Sequence, residues 1–461
     1  MSINLFLILF LIIILINTTS SEKIFKIPFK KLITSQYFPN QSNIIANEYM
    51  TQIVVEISIG TPPQKLNCSI NLNNFYSLFL SHNIPDIDLP SYYNKTSSQT
   101  YNCTQEQKYY WKEDFDNAEI FTDNIQLFDI NNKNILNNKF YFLLIDGLGY
   151  DVPNEFYAPG LIGLRIKKDN NNNQNNENRF LYQIKKYGLT DTEIFYFDFN
   201  EKEGEYDGYF VIGEELFNNY NFLRIYTGNL YFPELGPEWS FNFDNVYYGN
   251  EEINSKDCLI KTENGLTVGP TSYRNIINKF FKNESKCTLN RTKMGYATFN
   301  YYICEEDFNE NNMKDLIFEL KVINYSFILK PEDLFFIENN KKYFKILFLY
   351  TSYDQPYWYF GRHFLKKYKL RFDTERKSIY IPLKKEKEKE KEDNKSKTVD
   401  FYKQSSFWII VILGTFLLGL IIFIIIYLKK YPRKKRANEL IDDDYDYIQK
   451  DNNHNENKNI N

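Results

Sequence analysis

Few side chains in this chain are spaced for acid–base, nucleophilic or metal chemistry. The sequence holds three histidines, His82, His363 and His454, and none stands in a His-Glu-x-x-His or comparable ligand spacing. No metal site is expected, and no cofactor. A Gly-x-Ser-x-Gly elbow and a phosphate-binding glycine loop are both missing, so serine nucleophiles and nucleotide chemistry find no support. Asp146-Gly147 and Asp207-Gly208 read as turns. Two polar clusters remain. In Asn71-Leu72-Asn73-Asn74 the amides hydrogen-bond but do not titrate. In Lys261-Thr262-Glu263-Asn264-Gly265 an ammonium stands beside a carboxylate. It can act as an anion receptor, or it can pair locally with Glu263, an exposed arrangement that contributes about 0–1 kcal/mol.

Both clusters follow segments with a wider resemblance. Ile57-Ser58-Ile59-Gly60-Thr61-Pro62-Pro63-Gln64 precedes the first, and the second is framed by Cys258-Leu259-Ile260 and Leu266-Thr267-Val268-Gly269-Pro270-Thr271. These segments resemble the pepsin-like aspartic peptidases, the eukaryotic aspartyl protease family. That family has Asp-Thr-Gly-Ser at the first place and roughly Ala-Ile-Val-Asp-Thr-Gly-Thr-Ser-Leu-Leu-Thr-Gly-Pro-Thr at the second. Further segments match in order: Thr100-Tyr101, residues 118–127, Ala158-Pro159-Gly160-Leu161-Ile162-Gly163-Leu164, residues 208–213, Tyr302-Ile303-Cys304, residues 328–333, and residues 358–368 through Phe372-Asp373. The resemblance covers residues 47–383 and implies an all-β, bilobal fold with a central cleft.

The same resemblance places Asn71 and Lys261 at the two catalytic aspartate positions and Trp111 where the flap tyrosine would stand. In the family two carboxylates about 3 Å apart share a proton and activate a water. An amide and an ammonium do not offer that exchange. Asn73 and Glu263 replace glycines of the tight loops, Leu72 replaces a hydroxyl that would lock the dyad, and Trp111-Lys112 stands for Tyr-Gly. No Asp-Thr-Gly or Asp-Ser-Gly occurs elsewhere, and Asp373-Thr374-Glu375 belongs to the terminal strand segment. The expectation is a degenerate dyad and a peptide cleft lined by Asn71, Asn73, Trp111, Lys261 and Glu263. Cys287 and Cys304 take positions resembling the family's second-lobe disulfide, which would close about 18 residues and contribute roughly 3 kcal/mol. Cys68, Cys103 and Cys258 are not paired by sequence.

The elements that must position these residues are short β-branched and aromatic runs broken by Asn, Asp, Gly and Pro. Strands are expected over residues 52–59, 120–130, 139–145, 194–199, 209–212 and 239–247. Two helices are expected, over residues 180–187 ahead of Gly188 and over residues 271–281, the latter with a hydroxyl N-cap just after Pro270. The Asn-rich run 169–178 reads as an inserted surface loop.

A 43% hydrophobic content with 18% aromatics supplies a core, and a formal net charge of −4 leaves no footprint for nucleic acid. The remaining punctuation suggests export. Residues 5–16 are apolar and end in small polar residues, the shape of a signal peptide over residues 1–20. Residues 21–46 resemble a prosegment or form an ordered N-terminal strand. Lobes are expected over 47–215 and 216–383, then a charged Lys/Glu stalk over 384–406. Residues 407–428 hold no charge and would span about 33 Å as a helix. Lys429, Lys430, Arg433, Lys434, Lys435 and Arg436 follow at once, which places the tail 429–461 in the cytoplasm. Five cysteines and the sequons at Asn40, Asn67, Asn94, Asn102, Asn283, Asn290, Asn324 and Asn394 fit the same route. Tyr445-Asp446-Tyr447-Ile448 fits the Tyr-x-x-bulky sorting pattern through Tyr445 and Ile448. The sequence therefore reads as a single-pass membrane glycoprotein of the secretory pathway, endosomal, lysosomal or at the cell surface. Its leading function is peptide or protein binding in the former substrate cleft without catalysis. The alternatives are an active membrane-anchored aspartic endopeptidase and a structural or adhesion surface protein.

Overall fold

The computed structural model describes residues 24–32, 43–81, 91–107, 117–128, 134–147, 158–166, 178–201, 205–213, 220–228, 238–294, 297–351 and 354–384. All described residues lie in the first of the chain's two units, which runs from Met1 to Lys385. Trp111, the signal segment 1–20, the loop core 169–177, the sequons at Asn40 and Asn394, the apolar stretch 407–428 and the sorting pattern at Tyr445 and Ile448 lie outside the described residues.

Strands dominate, as the β-branched and aromatic runs require. Among the described residues thirteen strands form one sheet, nine strands lie along and beside a second, and four form a third. The first sheet is not confined to the first half of the chain. It takes in Phe25–Leu32 at one end of the sequence and Arg371–Asp373 and Ser378–Lys384 at the other. Phe25–Leu32 is hydrogen-bonded on both edges, to Gly208–Ile212 and to Gln52–Ile59.

One topological motif occurs twice. Gln64–Asn71 runs parallel to Gly160–Gly163, which is antiparallel to Leu78–Leu80, which is parallel to Asn134–Gly147. In the second half Asp257–Ile260 runs parallel to Trp358–Phe360, which is antiparallel to Thr267–Gly269, which is parallel to Ile346–Leu349. In both cases a strand from much later in the chain is inserted between the two strands that flank a turn. Parallel neighbours cannot be joined by a tight hairpin, so each insertion forces a long excursion. The turns produced in this way are 72–77 and 261–266, the two polar clusters of the sequence.

Four α-helices occur among the described residues. They are α1 (Ile44–Met50), α2 (Phe180–Lys186), α3 (Thr271–Lys282) and α4 (Arg362–Tyr368). The short α1, which crosses the expected boundary at residue 46/47, was not legible in sequence. Asn43 caps it, its side chain accepting from the Ile45 backbone N–H at 2.9 Å. Ile45, Ala46 and Met50 are buried in a cluster with Leu32, Val54, Leu266, Val268, Phe299 and Tyr301, so α1 packs against both halves.

Two expectations need correction. The Thr271 hydroxyl does not cap α3; Pro270 is the N-cap residue, without a side-chain bond, and Thr271 Oγ1 accepts instead from Gln355 N at 3.0 Å. The run 239–247 is not one strand. It breaks into Ser240–Asn242 and Asn245–Tyr248, which belong to different sheets. Between them Phe243 N bonds to Lys256 O and Asp244 N to Glu319 O, and these two bonds mark the change of sheet.

Candidate functional site at the paired turns

The first turn is built from its own amides. Asn71 ends its strand, and its side-chain oxygen accepts from Asn73 N at 2.7 Å and from Asn74 N at 3.1 Å. That Asx arrangement consumes the carbonyl and holds the chain in a tight bend. Leu164 N, just past the inserted strand, bonds to Asn71 O at 2.9 Å.

The second turn is also tied to its inserted strand, by a bond of the opposite sense: Lys261 N donates to Phe360 O at 2.9 Å. Lys261 Nζ lies 4.9 Å from the Tyr359 ring centroid, a cation–π contact, and 3.7 Å from Glu263 Oε1. The two side chains are 28% and 24% exposed, so this ion pair is partly in water and contributes little to stability.

The two turns touch. Thr262 is buried, and its hydroxyl donates to Ile70 O at 2.8 Å while accepting from Leu72 N at 3.3 Å. No reciprocal hydroxyl comes back from the first turn, because Leu72 packs its side chain into the core. A second bridge joins Asn73 Nδ2 to Glu263 Oε1 at 2.7 Å. Asn73 Oδ1 and Glu263 Oε2 are buried and have no hydrogen-bond partner among the described residues. Asn71, Asn73, Lys261 and Glu263 thus form one polar floor.

Beside the floor lies a charged knot that sequence reasoning missed. Gly265 N donates to Tyr49 O at 2.7 Å, and a Cβ at Gly265 would stand 1.8 Å from Glu48 O, so only glycine lets α1 approach this closely. Glu48 Oε1 accepts from Arg362 Nη2 at 2.6 Å and lies 3.0 Å from His363 Nε2. Arg362 N and His363 N in turn bond to Asn264 O and Gly265 O. Burial by itself would raise the Glu48 carboxyl, but the His363 hydrogen bond and the charges of Arg362, His363 and Lys31 outweigh it and hold the pKa at about 2. Burial pushes His363 down to about 4 against the pull of Glu48. Arg362 and His363 stood in the family-like segment at 358–368, but their partner lies on a helix too short to show a period.

Other expected residues are placed as follows. Cys287 and Cys304 stand in direct register on antiparallel strands and form the disulfide, with Cα atoms 4.0 Å apart. Cys68 and Cys258 are buried thiols, and Cys103 is exposed. Among the glycosylation candidates Asn102, Asn283 and Asn324 are exposed, while Asn94 and Asn290 are half-buried. Asp373 pairs in the terminal sheet, and Thr374 is sealed in a buried cluster with Arg179 and Glu193. Among the described residues no group of three or more His, Cys, Asp or Glu could hold a metal ion.

The family model of the eukaryotic aspartyl proteases matches residues 49–383. No curated protein matches the sequence.

Proposed function

Because the chain belongs to the eukaryotic aspartyl protease family, we propose that it is a non-catalytic, membrane-anchored member that binds extended peptide or protein segments over the floor formed by the paired turns. The reading rests on one observation above all. The two turns that end equivalent strands carry Asn71, whose amide oxygen is spent on its own bend, and Lys261, an ammonium beside Glu263. Peptide hydrolysis in this family needs two oxygens trading a proton. A lone carboxylate already bonded to Asn73 lacks that partner. Strand addition does not need the dyad, because it draws on backbone hydrogen bonds and side-chain pockets.

Two assays on the full-length purified chain test the reading. Incubation with unfolded protein from acid to neutral pH should give no pepstatin-sensitive cleavage, and titration with a peptide library should give saturable binding. Proteolysis that survives purification and disappears with pepstatin would establish an active endopeptidase instead. No saturable binding to any peptide would favour a structural or adhesion role. The anchor is assigned to residues 407–428, with the basic cluster from Lys429 to Arg436 on the cytoplasmic side. Protease added to sealed vesicles with the cytoplasmic face outward should trim the tail alone; digestion of the folded unit with the tail protected would reverse the orientation.

A further inference from the structure

Lys261 is the cation of the floor, and the described residues leave its ammonium with unfilled bonding capacity. Its contact with Glu263 Oε1 at 3.7 Å is an ion pair too long for a hydrogen bond. The reason is visible in the neighbour. Glu263 Oε1 already accepts from Asn73 Nδ2 at 2.7 Å, and Glu263 Oε2 is sealed from solvent. The carboxylate is therefore committed to the bridge between the turns. Lys261 instead rests on Tyr359 at 4.9 Å, and its Nζ makes no hydrogen bond to any described residue. An ammonium has three N–H donors and no acceptor. The backbone bond from Lys261 N to Phe360 O fixes the root of the side chain at the end of a buried strand.

We propose that Lys261 reads a carboxylate of the bound segment, an Asp or Glu side chain or a free C-terminus, through a charge-assisted hydrogen bond. This rests on the peptide-binding reading above. A carboxylate fits better than a phosphate. Glu263 lies within 4 Å and would repel a dianion more than a monoanion.

The test titrates the full-length chain with fluorescein-labelled Thr/Val-rich decapeptides. One series steps a single Asp, or Asn in its place, along the peptide. A second compares free-acid with amidated C-termini. One register, or the free terminus, should bind about fivefold more tightly than its neutral counterpart. The series in which this appears identifies the source of the carboxylate. Lys261→Met should abolish that discrimination. Glu263→Gln should enlarge it, because the competing charge is gone, whereas a merely structural Glu263 would lower binding of charged and neutral peptides alike. Should Lys261→Met fail to fold, the wild-type and Glu263→Gln titrations decide by themselves. Equal binding of charged and neutral peptides in both series overturns the carboxylate proposal and leaves peptide binding standing. No binding by any peptide overturns the underlying reading and the carboxylate proposal with it.

Discussion

Thr262 bonds through one hydroxyl to both Ile70 O at 2.8 Å and Leu72 N at 3.3 Å, so a single buried side chain carries the hydroxyl lock between turns about 190 residues apart. A symmetric lock would have a hydroxyl in each turn. Here one half of it is replaced by apolar packing of Leu72.

Thr262→Val keeps the shape and removes both bonds, leaving the Leu72 N–H buried and unpaired. The expected cost is about 2–4 kcal/mol, read as a drop in the urea midpoint. Thr262→Ser, which retains the hydroxyl, should cost much less. Equal losses for the two variants would mean that the methyl group, not the hydrogen bonds, matters.

Arg179 and Glu193 form a second buried pair at 2.6 Å, 3% and 4% exposed, and Thr374 Oγ1 donates to the same Glu193 oxygen. Arg179→Met would strand the carboxylate inside the protein and should destabilise by about 3–5 kcal/mol. The double variant Arg179→Met/Glu193→Leu should recover part of that loss. A double variant no more stable than the single one would contradict the pairing account.

The Glu48 knot predicts sensitivity to acid. His363 takes its proton near pH 4 when folded and near 6.5 when unfolded, so the unfolded chain binds more protons between these values. Stability should therefore fall as pH drops from 6.5 to about 4. Glu48, held at about 2 against 4.5, contributes stability that is present above 4.5 and lost as pH falls towards 2. The His363 side chain keeps 30% of its surface open, which limits its part to about 1–2 kcal/mol. Because the two groups share a hydrogen bond, their contributions do not simply add. Thermal midpoints across this range should show the decline, and His363→Gln should flatten its upper portion. A wild-type profile level from pH 6.5 to 4 would rule the mechanism out.

Thiol chemistry gives a direct check of the packing. Cys103 is exposed, while Cys68 and Cys258 are buried with their thiol pKa values pushed up by burial. Among these three thiols, iodoacetamide should label Cys103 alone in the native protein, and Cys68 and Cys258 should follow only on unfolding. Replacing Cys287 and Cys304 by serine should cost roughly 3 kcal/mol through the added freedom of the unfolded chain. Rapid native labelling of Cys258 would show that its strand is not sealed.

Much of this architecture was legible locally. Strand punctuation located Gln52–Ile59 and Ile194–Phe199 at their observed bounds, because β-branched and aromatic runs ending at turn residues are a short-range signal. The segments around Gly60 and Gly269 pointed to the family, and Cys287 and Cys304 stood at positions resembling its disulfide, which forms. The residue types at the two turns, an amide at Asn71 and an ammonium at Lys261, were also readable in the sequence. What those residues touch was decided only in three dimensions. The Asn73–Glu263 bridge spans 190 residues, and the Arg362–Glu48 pair spans 314. Such contacts leave no periodic trace along the chain. They exist because two inserted strands bring separate turns together and because Gly265 has no side chain to hold α1 away. Which half of the hydroxyl lock survives follows from Leu72 facing the core, and side-chain direction at a turn depends on the packing around it.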